Sequence, residues 1–383
     1  MDSGIPVAAW VIIIILALIL AMIFLAGCQS KQRKQRKQRK QWTGGGPDTF
    51  PYWSKSLSPA KEMFQELKKT LFAITPSGQG PILTRTYPGD YKRSDALSNH
   101  YTEAARIECQ SGGDPTPREV WEEMAAGRHR RAAENNADLS PEKYRVLRED
   151  VYGGARECNI FNPAFAYWVL SETVGSGARV LDPSAGWGDR LIGSLAANAK
   201  YYHGYDPNPH LQDGYKKIVA KLGNERHKSF YVTEAPFEEA QLKEESYDIA
   251  FTSPPYFAFE EYIAPGGEGE KAQSIGRYPD YETWAEKMYR PYLSNAYRAV
   301  RKGGWIILYI EDIRLGGKHY PLRTLTKDIM DGLGASPATN FGLRVIPSPS
   351  WPPAVDGGGR GRKKRPPQKK AARVRWALGW RKT

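Results

Sequence analysis

Val180-Leu181-Asp182-Pro183-Ser184-Ala185-Gly186-Trp187-Gly188 and Asp248-Ile249-Ala250-Phe251-Thr252-Ser253-Pro254-Pro255-Tyr256-Phe257 are two apolar runs that each stop at a chemically specialised turn. In the first, β-branched and apolar residues give way to an acid, a proline and two glycines at alternate positions. Such a turn lets backbone approach a ligand at the carboxyl end of a strand. In the second, the run ends in Ser253, two consecutive prolines and an aromatic pair. Proline has no N–H, so the carbonyls of this rigid corner are not masked by neighbouring donors. The corner presents acceptors and a ring.

Outward from these runs the chain alternates short apolar strands with helical stretches, which predicts a parallel α/β sheet. Strands are expected over 178–182, 201–206, 229–233, 247–252 and 304–310, and helices near 188–198, 211–222, 236–243 and 281–301. A further pair near 325–334 and 341–346 would complete the sheet.

Together the two turns resemble the DPxxGxG and (D/N/S)PP(Y/F) motifs of the S-adenosylmethionine-dependent amino-methyltransferases of DNA. These enzymes methylate the exocyclic amine of cytosine (N4) or adenine (N6). Order, spacing and the shared position at strand ends carry the resemblance, which covers residues 155–312. It implies an α/β fold, a Rossmann-like methyltransferase sheet with helices on both faces, with S-adenosyl-L-methionine as cofactor and DNA as partner.

The resemblance also assigns residues. In the family a segment upstream of the first strand closes over the methionine end of the cofactor, and Phe161, Asn162 and Pro163 stand there. Asn162 and Pro163 equally read as the cap and first turn of an ordinary helix. Asp182, Pro183, Ser184, Gly186 and Gly188 would approach the methionine part, and Asp206 would hold the ribose hydroxyls. Glu234 would meet the adenine amine, its plainer reading being a cap just before Pro236. Trp187 and Asp189 depart from the commoner form of the motif, but the glycine spacing is intact.

An aromatic amine is a poor nucleophile because its lone pair is delocalised into the ring. Two acceptors bonded to the amine hydrogens pull the nitrogen toward a tetrahedral shape and free that pair for in-line attack on a methyl group. By resemblance these are Ser253 and the carbonyl of Pro254, with Pro255 keeping the corner rigid. Tyr256, with Phe257 nearby, would stack on an extruded base. Serine at the first position goes with cytosine in most of the family. In the loop between Glu260 and Tyr281, Gln273, Ser274 and Arg277 are placed to cover the base or contact DNA. The same tetrad occurs in RNA base methyltransferases, whereas protein-glutamine enzymes more typically carry Asn in place of Ser253. From a different class, a membrane-anchored nucleic-acid-binding protein that kept the fold without catalysis would also fit.

Val7 to Ala26 is an uninterrupted apolar run of the length a bilayer span requires, which makes residues 7–27 a membrane contact. The basic repeat over 31–41 follows at once, and by the positive-inside rule the catalytic part faces the cytosol on a single-pass anchor. Leu25-Ala26-Gly27-Cys28 also resembles a lipoprotein cleavage box, but no Lys or Arg precedes the apolar run. The three cysteines, Cys28, Cys109 and Cys158, are odd in number and lack C-x-x-C spacing, so the sequence supports neither a disulfide framework nor a metal site.

The net charge of +13 is unevenly placed. Residues 31–41 carry seven Lys/Arg and no acid, and residues 351–383 carry eleven Lys/Arg against Asp356, which leaves −4 for the rest. Nucleic-acid binding by the folded part therefore requires a local basic patch. Helices are expected over 59–73, 95–109 and 116–131, the last carrying Arg118 and the run Arg128 to Arg131 as phosphate contacts or a solvated face. The organisation read from the sequence is an anchor (1–30), a basic juxtamembrane linker (31–58), a mainly helical region (59–155) suited to DNA recognition, a methyltransferase domain (156–347) and a basic disordered tail (348–383).

Overall fold

A computed structural model describes residues 50–55, 57–87, 96–126, 141–264, 266–347 and 373–383. The apolar run 7–27, the basic repeat, Cys28, Arg128 to Arg131 and residues 348–372 lie outside the described residues. Among the described residues no helix is long and apolar enough to cross a membrane.

The chain first forms α1 (Ala60–Lys68), a hairpin of β1 (Ala73–Thr75) and β2 (Ile82–Tyr87), and helices α2 (Asn99–Arg106), α3 (Pro117–Ala126) and α4 (Pro141–Gly154). There follow α5 (Pro163–Thr173), β3 (Arg179–Asp182), α6 (Asp189–Ala196), β4 (Tyr201–Tyr205), α7 (Gln212–Leu222), β5 (Phe230–Thr233) and β6 (Tyr247–Thr252). The last elements are α8 (Arg290–Ala299), β7 (Val300–Tyr309), α9 (Leu322–Gly332), β8 (Phe341–Pro347) and β9 (Val374–Arg381). The strands form one sheet in the order β1-β2-β8-β9-β7-β6-β3-β4-β5, and a short strand, Ser336–Pro337, pairs with β9.

Side chains alternate between the two faces of a strand, and both faces here are covered, which is why β6 and β7 are nearly continuous in apolar residues. Ile249, Phe251, Trp305 and Ile307 pack with Phe165, Trp168, Leu191 and Ile218 of α5, α6 and α7. Ala250, Ile306 and Leu308 pack on the other side with Trp284, Tyr289 and Leu293 and with Ile329 and Met330 of α9. A third, smaller core of Phe50, Ile107, Trp121, Leu147 and Val151 holds the upstream helices together.

Four expectations are corrected. First, residues 374–381 are not a tail: they form β9, antiparallel to both β7 and β8, with Ala377 opposite Tyr309 on one side and Phe341 on the other. Second, residues 236–243 contain only a 3-10 turn, Phe237–Glu239. The Asn295 side-chain amide donates to the carbonyls of Phe237 (3.2 Å) and Glu238 (3.1 Å), taking acceptors that a continuing helix would need. Third, the helix expected over 281–301 passes through a π-helical turn, Trp284–Tyr289, before α8. Pro291 cannot donate to the carbonyl four residues back, and the turn widens there. Fourth, Cys109 and Cys158 form a disulfide across 49 residues of sequence. Their approach follows from the antiparallel pairing of Gln110–Ser111 with Glu260–Glu261, which draws the end of α2 to the loop after the Pro-Pro corner. The hairpin β1–β2, where the sequence showed only punctuation by Pro and Gly, extends the sheet through parallel pairing of β2 with β8.

Candidate active site

From β3 the chain runs outward to β4 and β5, then crosses back to β6 on the other side of β3 and continues to β7. The order therefore reverses between β3 and β6. In an open α/β sheet the loops at such a reversal diverge and leave a crevice at the carboxyl ends of the strands. The two turns singled out in the sequence end these two strands. A cavity of about 1000 Å³ lies there, and Pro183, Ser184, Gly186, Asp206, Ser253, Pro254, Pro255 and Tyr256 line it.

On the β3 side, the two glycines have separate roles. Gly186 (φ 57°) borders the cavity with nothing closer than 3.8 Å to the position a Cβ would take. At Gly188 (φ 91°) a Cβ would stand 2.6 Å from Ile218, so this glycine lets α7 pack against the start of α6 and does not border the cavity. Asp182 is turned inward. Its carboxylate accepts from Arg190 Nε (3.0 Å), Tyr202 (2.7 Å) and the Ser184 N–H (3.3 Å), and it shapes the turn without reaching the cavity. Ser184 shares a hydrogen bond with the Tyr292 hydroxyl (2.8 Å), which also meets Thr252 Oγ1 (3.0 Å) and so ties the ends of β3 and β6 together.

Asp206 accepts from the Gly186 N–H (2.9 Å) and the Asn208 N–H (3.0 Å). Burial pushes its carboxyl up to about 6, against the pull of these donors. The Tyr215 hydroxyl is bonded to the same carboxylate, which leaves its remaining lone-pair capacity for a diol at the cavity wall. Glu234 is exposed and does not line the cavity; Glu238, four residues on, does, and burial raises its carboxyl. The 3-10 turn carries the chain back toward the cavity, so the acid of this strand end that lines it is Glu238 and not the Glu234 expected from the sequence.

The upstream segment crosses the cavity as a strap. Asn162 caps α5 by accepting from the Phe165 N–H (2.9 Å), while its Nδ2 is buried at the cavity without a partner. Pro163 is the first residue of the helix and faces away from the cavity. Phe161 lies beneath the Arg190 guanidinium at 4.9 Å, edge-on to Tyr309. Asn159 is fixed from both sides: its N–H and Nδ2 donate to Glu260, and its carbonyl accepts from Trp187 Nε1 (2.9 Å). Asp189, also on the cavity wall, is wholly buried, and that burial pushes its carboxyl up to about 7.

On the β6 side, the Tyr256 hydroxyl donates to the Tyr309 carbonyl (2.8 Å), which sets the ring beside Ser253. Phe257 does not join it. A left-handed φ of 49° turns its side chain the other way, into a buried cluster with Tyr281, Trp284 and Tyr320. Gln273 is at the cavity, but its amide is bonded at both ends to the backbone of Ile263 (3.0 and 2.7 Å) and holds the loop closed on itself. Ser274 accepts from Trp284 Nε1 (3.0 Å) at the cavity wall. Arg277 is away from it, ion-paired to Glu238 (3.1 Å) and to Glu239. Arg118, the upstream candidate, pairs with Glu108 (3.0 Å).

The sequence reading missed three cavity residues from the far side of the sheet, Arg314, Arg373 and Arg375. The last two come with β9. A signal for that strand was present: Val374, Trp376, Leu378 and Trp380 alternate with Arg375, Ala377, Gly379 and Arg381. Among the described residues no group of three or more His, Cys, Asp or Glu is arranged to hold a metal.

No protein-family model matches the chain, and no curated protein sequence does. Among solved structures it is similar to a tRNA methyltransferase from Aquifex aeolicus (14% identity over 60% of this chain and 72% of that one, TM-score 0.34). It is also similar to an S-adenosylmethionine-dependent O-methyltransferase from Thermotoga maritima (12%, 59% and 67%, TM-score 0.35). A third is an S-adenosylmethionine-dependent methyltransferase from Aquifex aeolicus (13%, 57% and 89%, TM-score 0.34). Likeness of this degree identifies neither family, substrate nor reaction; the mixed α/β sheet covered on both faces is a property of the chain's own strand order and packing.

Proposed function

We propose that the protein is an S-adenosylmethionine-dependent methyltransferase acting on the exocyclic amine of a nucleic-acid base, cytosine N4 in DNA before other targets. The observation that carries this reading is the convergence of the Gly186 turn, Asp206 and the Ser253-Pro254-Pro255-Tyr256 corner on one cavity at the reversal of strand order. Gly186, Asp206, Asn162 and Glu238 fit the cofactor. An open glycine turn suits the methionine part, a carboxylate at the cavity wall suits the ribose diol, an unpartnered amide N–H at the wall needs an acceptor, and a buried acid suits the adenine amine. When bound, the cofactor supplies an electrophilic methyl group on a sulfonium.

The corner acts on the amine. Ser253 and the Pro254 carbonyl accept its two hydrogens, the Tyr256 ring carries the base, and the nitrogen lone pair is directed at the methyl carbon. A C–N bond forms as the S–C bond breaks, and the amine then loses one proton. The preference for cytosine rests on serine at position 253.

The test uses residues 42–383 with S-adenosylmethionine and unmethylated DNA, resolving the product nucleosides by mass spectrometry. N4-methylcytosine is the expected product, and Ser253→Ala should lower its rate at least about 100-fold, the scale of losing one acceptor aimed at the reacting group. N6-methyladenine would keep the class and overturn the choice of base. Methylated bases in RNA but not DNA would move the substrate, and no transfer to either would remove the catalytic reading.

A further inference from the structure

A polynucleotide substrate, on which this inference rests, must be held by its phosphodiester backbone. Once the four cationic residues of 373–383 are counted with the fold, its net charge is close to zero, so the contact needs a local cationic surface. Of the arginines the sequence offered, Arg118 and Arg277 are neutralised by Glu108, Glu238 and Glu239, and Arg128 to Arg131 lie outside the described residues.

The far wall of the cavity is different. β9 runs antiparallel to β7, so it begins at the carboxyl edge of the sheet, where the catalytic corner stands. Its first turns of chain put Arg373 and Arg375 on the cavity wall, and Arg314 joins them after β7. Arg375 is exposed and lies against Tyr309, whose carbonyl holds Tyr256. Arg373 is 76% exposed and reaches Glu311 at 2.9 Å, while Arg323 stands 3.9 Å from the same carboxylate. Of the two acids on this wall, Glu311 is thereby bracketed by two guanidiniums and Asp312 accepts from the Arg323 N–H (2.9 Å). At the opposite end of the strand, Arg381 is committed elsewhere: it lies 3.7 Å over the Trp305 ring and donates to the Gly303 carbonyl.

We propose that Arg373 and Arg375, with Arg314, bind the phosphodiester backbone next to the nucleotide whose base enters the cavity. Arginine suits the task because its planar fork meets phosphate oxygens bidentately. The C-terminal strand is then a substrate-binding wall as well as a sheet element.

The experiment is fluorescence anisotropy of the full chain in detergent solution with labelled single-stranded DNA and with the matching RNA, over a series of salt concentrations. Each phosphate contact on a single strand contributes about 0.7 to the slope of log affinity against log salt, so Arg373→Ala/Arg375→Ala should lower the slope by about 1.4 on whichever strand is bound. The Arg373→Lys/Arg375→Lys pair should keep most of it. If the alanine pair melts early, Arg373→Gln/Arg375→Gln removes charge while keeping side-chain length, and the same fall in slope is expected. A slope equal to the parent's at unchanged melting temperature overturns the proposal, as does a parent that binds neither strand. Binding is read without methyl transfer, so a fallen slope in a chain that methylates nothing would keep this surface and sink the proposed activity, and the reverse pattern would do the opposite.

Discussion

Asp189 stands where the first turn of α6 meets the cavity, and its carboxyl is taken out of water completely. Its burial, opposed by Ser98, Arg190 and Arg106, raises it to about 7 from an ordinary 3.8. The folded chain therefore binds this proton more tightly than the unfolded one. The stabilising contribution is fully present below the ordinary value and is lost as pH rises through about 7. Thermal melts across pH 4 to 8 should show the parent losing stability relative to Asp189→Asn, by at most about 4 kcal/mol over the window. Parallel curves for the two proteins would mean that Asp189 titrates normally. Asp206, pushed up to about 6, contributes in the same direction to both proteins and cancels in the difference.

Among the elements, the strap over 157–162 is held by partners distant in sequence. Glu157 pairs with the buried Arg106, Cys158 is bonded to Cys109, and Asn159 is held between Trp187 and Glu260. Closing a loop of 49 residues removes unfolded-state entropy worth about 4 kcal/mol in the chain-entropy model. Thiol titration of the denatured, unreduced chain should find one free thiol, Cys28, and full reduction should lower the melting temperature. Three free thiols before reduction would dismiss the bond. The start of α6 offers a contrasting kind of dependence. At Gly193 an added Cβ would stand 2.5 Å from Ala166, so α5 and α6 meet there at a distance only glycine permits.

For the molecule as a whole, the folded part and the apolar N-terminus make separable demands. The run over 7–26 has the length of a bilayer span, and the basic repeat after it would stay on the cytosolic side. The full chain should sediment with membranes and resist alkaline carbonate, and residues 42–383 should remain in the supernatant. Release of the full chain by carbonate would remove the anchor. The basic charge of the C-terminal stretch is likewise tied to the fold at the scale of the molecule. β8 ends and β9 begins at the carboxyl edge of the sheet, so Arg373 and Arg375 stand on the side where the cavity opens.

Local chemistry made much of this legible without coordinates. Short apolar runs identified β3 to β7, and residues with special backbone demands marked where they stop: Gly186 and Gly188 with positive φ, Pro254 and Pro255 without an N–H. Ser253, Tyr256, Gly186 and Asp206 were found at one cavity because strand-end position in a parallel sheet follows from the order of elements alone. Other assignments depended on neighbours remote in sequence. Asp182 was withdrawn by Arg190 and Tyr202, Arg277 by two glutamates, and Phe257 by a left-handed turn into an aromatic cluster. Glu238 lines the cavity and Glu234 does not, in a stretch where Asn295 captured the carbonyls of a would-be helix. Cys109 met Cys158, and β9 entered the sheet, through pairings between segments far apart in the chain. Backbone conformation is set within a few residues and can be read there; which charge is neutralised, which strand is central and which side chain faces the cavity is set by what packs against it, and that only the tertiary structure decides.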